Sequence, residues 1–487
     1  MSVYGKIQKV AAEKFFKKVN GVMEEHSAYG SSPSSESTID QQSLGLPVAQ
    51  SQLITQPLPI SSTLPVQADR RKIALSEIWH NALLPYLGTR LLLVMVGLLA
   101  NFYLTPLIIS QPTLHIHSTY TRFPQVLWLM WNRFDSGFYL SIAQGGYRPA
   151  GPSDWVFYPL YPLLIAGVST VLGRSGTAFN LAGILISNLA AGAAIIYLYL
   201  LVCKEFNREV ARRTVLYLAL FPMSFYLSAI YTEGLFLALA VTCIYYTRQR
   251  SWWIAGFCGG LAALTHPQGV MLAVPLAWEY LSVLSRRYAP LPEDLPQKRT
   301  DRMRLCLAFF LRGLFLAARE FKNWWTGLAL FLVPAGLFAF MLYAKSQTGD
   351  LLFTFHVNSS VWGRQLSYPW RLLIYSLRHP IIDPTTWNFW LLNIIVAFVF
   401  LGFTLWAFRR LPMLYALYTT VLVLLPLSSN FLNSLARYYL VVFPAFILLA
   451  LFSSDGKPVW HTFILVCFTS LLTLFMAFFV IGMPVIA

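Results

Sequence analysis

The chain has 487 residues, of which 57% are hydrophobic, 16% aromatic and only 11% charged. That balance excludes a water-soluble globular domain and points to an all-α polytopic membrane protein. The formal net charge of +16 would suggest nucleic acid in a soluble protein, but here the basic residues cluster beside apolar spans, as positive-inside loops facing anionic lipid do, so membrane lipids and not nucleic acid are the expected partners.

Residues 1–80 read as a cytoplasmic tail. Positions 5–18 carry a short basic amphipathic segment, and 27–68 are rich in Ser, Gln and Pro and too poor in apolar residues to build a core. No signal peptide is expected at the start, and Arg70, Arg71 and Lys72 beside the first span predict a cytoplasmic N-terminus. The membrane domain is 81–487. Its first span is expected at about 83–109, with Arg90 near the cytoplasmic end, where it can snorkel. An external loop follows, about 110–176. Residues 156–172 are apolar, but a crossing there would turn the basic run Lys204 to Arg213 outward, so they read as a juxtamembrane or re-entrant helix. Spans are then expected at 177–203, 214–230, 234–247, 252–264 and 268–284. Residues 285–304 form the most basic cytoplasmic loop, and 305–319, carrying Arg312 and Arg319, lie at the interface. Spans 324–344, 388–408, 411–427, 438–452 and 458–485 make about 11 transmembrane helices, with a second large external loop at 345–387. Five cysteines (Cys203, Cys243, Cys258, Cys306 and Cys467) lie singly in or beside apolar stretches, without metal or disulfide spacing.

This topology gathers Arg133, Asp135, Arg148, Asp154, Glu233, His266, Asp350, His356, Arg364, Arg371, Arg378, His379, Asp383 and Arg437 on the outer face. Positive-inside bias predicts few arginines there, and guanidinium forks match phosphate oxygens, so the group suggests an anionic, lipid-linked ligand. Local explanations stand beside that one: Arg437 can cap a helix, and Arg378 can pair with Asp383. Asp135, in Trp131-Asn132-Arg133-Phe134-Asp135-Ser136-Gly137-Phe138-Tyr139, is a lone carboxylate among aromatics that can accept a hydroxyl proton, or can cap a helix or pair with Arg133. Glu233 sits at a helix start, where the dipole favours an acid. His266 before Pro267 fits a hydrogen-bonded turn. The aromatics Trp128, Trp131, Phe134, Phe138, Tyr139, Trp155 and Tyr158 fit an interfacial belt and can also stack on a sugar. Asn358-Ser359-Ser360 matches a glycosylation acceptor, a frequent chance pattern.

The stretch Trp131 to Tyr147, followed by Phe157-Tyr158-Pro159-Leu160-Tyr161-Pro162, resembles the signature of the PIG-V-like mannosyltransferases, relatives of GPI mannosyltransferase 2 within the GT-C class of polytopic glycosyltransferases. Three later stretches agree in order: Phe221 to Phe236, Leu264-Thr265-His266-Pro267-Gln268-Gly269, and Arg437-Tyr438 to Phe443-Pro444. The resemblance covers about 85–452. Two positions depart from it. The acid of the first motif falls at Asp135, before Ser136-Gly137, with Asn132 after Trp131, and the arginine of the third motif is His266 here. The resemblance implies a GT-C-like fold and a polyprenyl- or dolichyl-phosphate sugar donor, with mannose the expected sugar. It implies a glycolipid or protein acceptor, and transfer with inversion on the extracytoplasmic face. Asp135 would be the general base. The substrate-binding candidates are Arg133, Tyr139, Tyr147, Tyr158, Glu233, His266, His356, Arg364 and Arg437. No cofactor is certain, and a divalent metal is compatible.

Two other functions fit parts of the pattern. A transporter or flippase of lipid-linked saccharides suits many spans and external arginines, although transporters place charges near mid-membrane and these sit at span ends. An inactive membrane scaffold would account for the altered motif and for His266. The membrane would be the plasma membrane in a bacterium, the setting preferred here, or the ER membrane in a eukaryote.

Overall fold

The structure, a computed structural model, describes residues 73–109, 120–148, 151–378, 390–430, 432, 434–454 and 458–483. They belong to one compact unit, Leu64–Ala487. The basic segment 5–18, the rest of the tail to residue 72, and His379 and Asp383 lie outside the described residues.

The described residues are helical, with one isolated bridge, Leu366 to Ser429. Five helices are long and apolar enough to cross a bilayer: Leu75–Ile109, Gly176–Glu205, Phe321–Thr348, Leu391–Arg410 and Pro458–Val480. Five of the expected spans are carried by these helices, and the other expected spans form shorter helices among the described residues. Between the first two long helices, Leu160–Val171 has 12 residues. At 1.5 Å per residue it extends about 18 Å, too short for a hydrocarbon core of about 30 Å.

Where a longer span was expected, the sequence interrupts it. Residues 214–230 do not form one helix: Arg208–Leu220 stops at Phe221-Pro222, and a short 3₁₀ turn, Ser224–Leu227, follows. Proline cannot donate the hydrogen bond that would continue the helix. The freed carbonyls find Arg90, whose guanidinium donates to Ala219 O at 2.9 Å, Ser224 O at 2.7 Å and Ser228 Oγ at 3.3 Å. Arg90 therefore does not snorkel to a surface. It is 8% exposed and ties the first long helix to this break. The expected span 438–452 is divided in the same way, into Leu435–Tyr439 and Phe443–Ser454.

Close helix packing rests on glycine where backbones touch. A Cβ on Gly336 would fall on the backbone of Gly260, and one on Gly260 would stand 2.6 Å from Leu332 O. Small residues at such a crossing let two helices approach without a side chain between them, as in membrane bundles. The tightest interior lies around the interrupted elements, where Tyr226, Tyr231, Tyr418 and Tyr439 are fully buried.

Candidate active site

Five interrupted segments converge on one cavity of about 720 Å³, lined by Asp135, Glu233, His266, Arg364 and Arg437 among others. The volume lies within the range of small-molecule sites, about 300–1,000 Å³.

Asp135 stands in the turn before the helix Ser136–Gly145, directly after Phe134 at φ +52°. A bulky side chain in the left-handed region is costly. Packing of the Phe134 ring on Phe479, with centroids 5.9 Å apart, holds it there. The Asp135 side chain makes no cap hydrogen bond to its helix and no pair with Arg133; instead Arg437 Nη1 donates to its Oδ2 at 2.8 Å. Its backbone N–H donates to the Tyr231 hydroxyl at 3.1 Å, which in turn donates to Arg133 O at 3.1 Å. The loop is pinned on both sides of the carboxylate.

Arg437 is the centre of the site rather than a helix cap. Its side chain is 6% exposed, and its Nε lies 3.3 Å from Glu233 Oε1, an ion-pair distance without hydrogen-bond geometry. Glu233 opens the helix Glu233–Arg248, and its Oε2 is buried with no hydrogen-bond partner. The guanidinium carbon lies 5.1–5.3 Å from the ring centroids of Tyr226, Tyr231 and Tyr438, so three aromatic faces share its charge. Burial pushes the Glu233 carboxyl up to about 7, against the opposing pull of Arg437.

Arg364 approaches from the loop after the helix Phe353–Ser360, and its Nη1 donates to the Tyr438 hydroxyl at 3.2 Å. Arg437 Nη2 reaches the same hydroxyl at 3.4 Å, so Tyr438 links the two cations of the wall. His266 packs between the Phe236 and Tyr438 rings, with centroids at 5.3 and 5.8 Å, and its Nδ1 accepts from Gln268 N at 3.3 Å. That contact is the turn hydrogen bond expected before Pro267. Burial, helped by Arg437 and Arg364, pushes its pKa down to about 3. The imidazole is therefore neutral and supplies no charge in place of an arginine.

Of the other candidates, Tyr139 and Tyr158 line the cavity. Tyr139 packs edge-on against Phe157 and Tyr161, so it belongs to a buried aromatic cluster more than to a surface belt. Three candidates are placed elsewhere. Tyr147 is spent in packing, its hydroxyl donating to Phe157 O at 2.5 Å. Arg133 is not in the lining, and its buried Nε has no hydrogen-bond partner. His356 is exposed and paired with Asp350 at 2.6 Å, outside the lining, because its helix turns Thr354, Phe355, Asn358 and Ser359 to the cavity instead. The sequence reading missed Tyr231 and Tyr438, which sit beside the charged positions it named.

Among the described residues no group of three or more His, Cys, Asp or Glu side chains gathers, and the two cavity carboxylates already face one guanidinium.

The family model described as dolichyl-phosphate-mannose-protein mannosyltransferase matches residues 152–291. GPI mannosyltransferase 2 of Yarrowia lipolytica is 28% identical over 206 residues, which is 40% of this chain and 53% of that protein; the chain thus spans about half the length of the curated relative it matches. Among solved structures, the oligosaccharyltransferase of Archaeoglobus fulgidus with zinc and sulfate is similar at 15% identity and a TM-score of 0.35, covering 74% of this chain and 48% of that one. The archaeal oligosaccharyltransferase AglB of the same organism, with an inhibitory peptide and a dolichol-phosphate, is similar at 14% identity and a TM-score of 0.36, covering 82% and 56%. In sequence matches and motif order, the chain is similar to mannosyltransferases of this kind over part of its length.

Proposed function

We propose that the protein is a membrane mannosyltransferase that moves mannose from a dolichyl- or polyprenyl-phosphate donor to a hydroxyl of a glycolipid or protein acceptor, on the extracytoplasmic face. The observation that carries this reading is the Arg437 guanidinium set against Asp135 and Glu233 in a cavity that Arg364 also enters.

In the reaction, the acceptor oxygen attacks the anomeric carbon from the face opposite the phosphate. The C–O bond to phosphate breaks as the new glycosidic bond forms, which inverts the configuration. Arg437 engages Oδ2 of Asp135, which leaves Oδ1 to take the acceptor proton. The electron pair of the broken bond leaves with the lipid phosphate, and Arg364 and Arg437 offset its growing charge. The apolar side of the cavity, with Val270, Met271, Leu337, Phe355, Leu366 and Leu425, suits an isoprenoid chain.

A second assignment of roles is favoured by one observation: Glu233 has an unpartnered oxygen and a carboxyl that titrates near 7, the range in which a general base is most effective. In that assignment Glu233 takes the proton and Asp135 positions Arg437.

The test is transfer of labelled mannose from polyprenyl-phosphate-mannose to a panel of acceptors by purified protein in proteoliposomes, with lipid translocation followed in parallel. Asp135→Asn should lower transfer by about 10²–10⁴-fold while the protein stays folded. Near-normal transfer by that variant removes Asp135 as the base, and translocation without transfer by the unaltered protein favours a flippase.

A further inference from the structure

A second cavity, about 760 Å³, lies at the other end of the same helices. Glu233 and Arg248 bound one 16-residue helix, and the first lines the candidate active site while the second lines this cavity. At 1.5 Å per residue the two sites are separated by about 24 Å of helix. Thr265 and Trp252, at the two ends of the helix Trp252–Thr265, divide in the same way.

The charged residues of its lining are Arg248, Arg250, Arg286, Arg287 and Lys322 against a single carboxylate, Glu279. The Arg248 guanidinium forks between two carboxylates, Glu205 at 2.7 Å and Glu279 at 2.6 Å, so the cations of the lining together with these acids carry a net charge of +3. For Arg250, Arg286, Arg287 and Lys322, no carboxylate of the described residues lies within ion-pair distance. Positive-inside bias accounts for cations along a membrane face. It does not account for four of them, none in an ion pair among the described residues, around one concavity.

The walls are held by contacts that owe nothing to those cations. The Tyr280 hydroxyl donates to Asn323 O and lies 2.9 Å from Thr326 Oγ1, while the Tyr280 ring meets Trp252 edge-on at 4.8 Å. The surroundings mark the depth of lipid headgroups. Trp324 and Trp325 are more than half exposed beside Lys322, and Met303, Leu307, Leu311 and Phe315 expose a four-residue stripe on the neighbouring helix Arg299–Ala317. Gly313 of that helix packs on the backbone of Ser285, which holds the apolar stripe next to Arg286 and Arg287.

We infer that this cavity binds the phosphorylated headgroup of a membrane lipid carrying phosphomonoester charge, on the face opposite the candidate active site. A single phosphodiester brings one negative charge; four free cations suit a headgroup with several. The aromatic and apolar rim favours a lipid over a soluble phosphate. The inference is independent of the proposed transferase reaction.

The experiment uses the full chain in phosphatidylcholine nanodiscs doped either with phosphatidylinositol 4,5-bisphosphate or with phosphatidylserine at equal total charge, and reads retained lipid by native mass spectrometry. The bisphosphate lipid should be retained at least tenfold over phosphatidylserine. Each cation near the surface contributes about fivefold, so Arg286→Gln/Arg287→Gln/Lys322→Gln should cut retention on the order of 100-fold. Arg299→Gln/Arg304→Gln, charge removed from the same face outside the lining, should leave retention close to that of the unaltered protein. Equal retention of the two lipids, or an equal loss in both sets of variants, overturns the inference in favour of diffuse surface attraction. Tighter binding of soluble inositol trisphosphate than of the lipid overturns the assignment to a membrane headgroup.

Discussion

Replacing Arg437 by glutamine tests whether the centre of the cavity is held together by charge. The guanidinium is 6% exposed at its side chain, donates to Asp135 at 2.8 Å and lies 3.3 Å from Glu233. Breaking a buried ion pair by removing one partner costs about 3–5 kcal/mol, because the remaining charge is left uncompensated. Loss of the three tyrosine faces adds to this, and the packing that glutamine keeps returns part of it. Glu233 already titrates near 7 and would return some of this by taking a proton. The expected net loss is about 3–5 kcal/mol, read as a lowered apparent melting temperature by fluorescence-detected size exclusion in detergent. The double variant Arg437→Gln/Glu233→Gln should regain part of that stability, because one stranded carboxylate is gone, while the proposed mannose transfer stays depressed by about 10²–10³-fold or more. A single variant that melts with the unaltered protein, or a double variant no more stable than the single, would refute the picture of one buried cation shared by a buried acid and a partly exposed one.

Glu233→Gln should flatten the dependence of stability on pH. Burial raises the folded carboxyl from 4.5 to about 7, so its contribution is fully present below about 4.5 and lost as pH rises through about 7; melting curves across that window check the sign. Arg90→Gln should cost about 2–4 kcal/mol, since charge-assisted bonds to Ala219 O and Ser224 O are lost; unchanged melting would show that the broken helix does not need it. Gly336→Val should destabilise by about 1–3 kcal/mol or more, because its side chain meets the Gly260 backbone; unchanged melting would mean that the helices part easily there.

The helical membrane class was legible from composition, because no soluble core needs so few charges. The long helices were legible as well, since an unbroken apolar run over 20 or more residues has one ready solution in hydrocarbon. Arg437, Asp135, Glu233 and Arg364 could be named as candidates because charges are rare here and each stands at a chain break. Their pairing could not be read. Asp135 and Arg437 are 302 positions apart, and no local pattern records which cation meets which acid. Arg90 shows the converse error: near a span end the expected behaviour is snorkelling, and only the break at Phe221-Pro222, brought beside it by folding, gives it buried carbonyls to hold.

The breaks themselves explain why the cavity sits where it does. Away from water, backbone that leaves the helix must find partners within the protein or line a cavity. Each break at this site does so through a named group. Ile230 N donates to Trp131 O at 3.2 Å, joining the two breaks that carry Glu233 and Asp135. Gln268 Nε2 donates to Leu422 O at 3.3 Å, and the Tyr418 hydroxyl to Val441 O at 2.8 Å, behind His266 and Arg437. A helix interior points side chains outward at fixed intervals and cannot aim four charged groups at one point. Interrupted segments can, provided the freed backbone is satisfied, so the tyrosines and amides behind the charges are part of the same device. On this argument Tyr418→Phe, which touches no cavity group directly, should weaken the Arg437 segment by about 0.5–1.5 kcal/mol, because Val441 O keeps its bond from Phe443 N at 2.9 Å and loses only the hydroxyl. Hydrogen exchange should then rise at Leu435–Tyr439 before it rises in the long helices; a uniform increase across the whole chain would count against a local role for that hydroxyl.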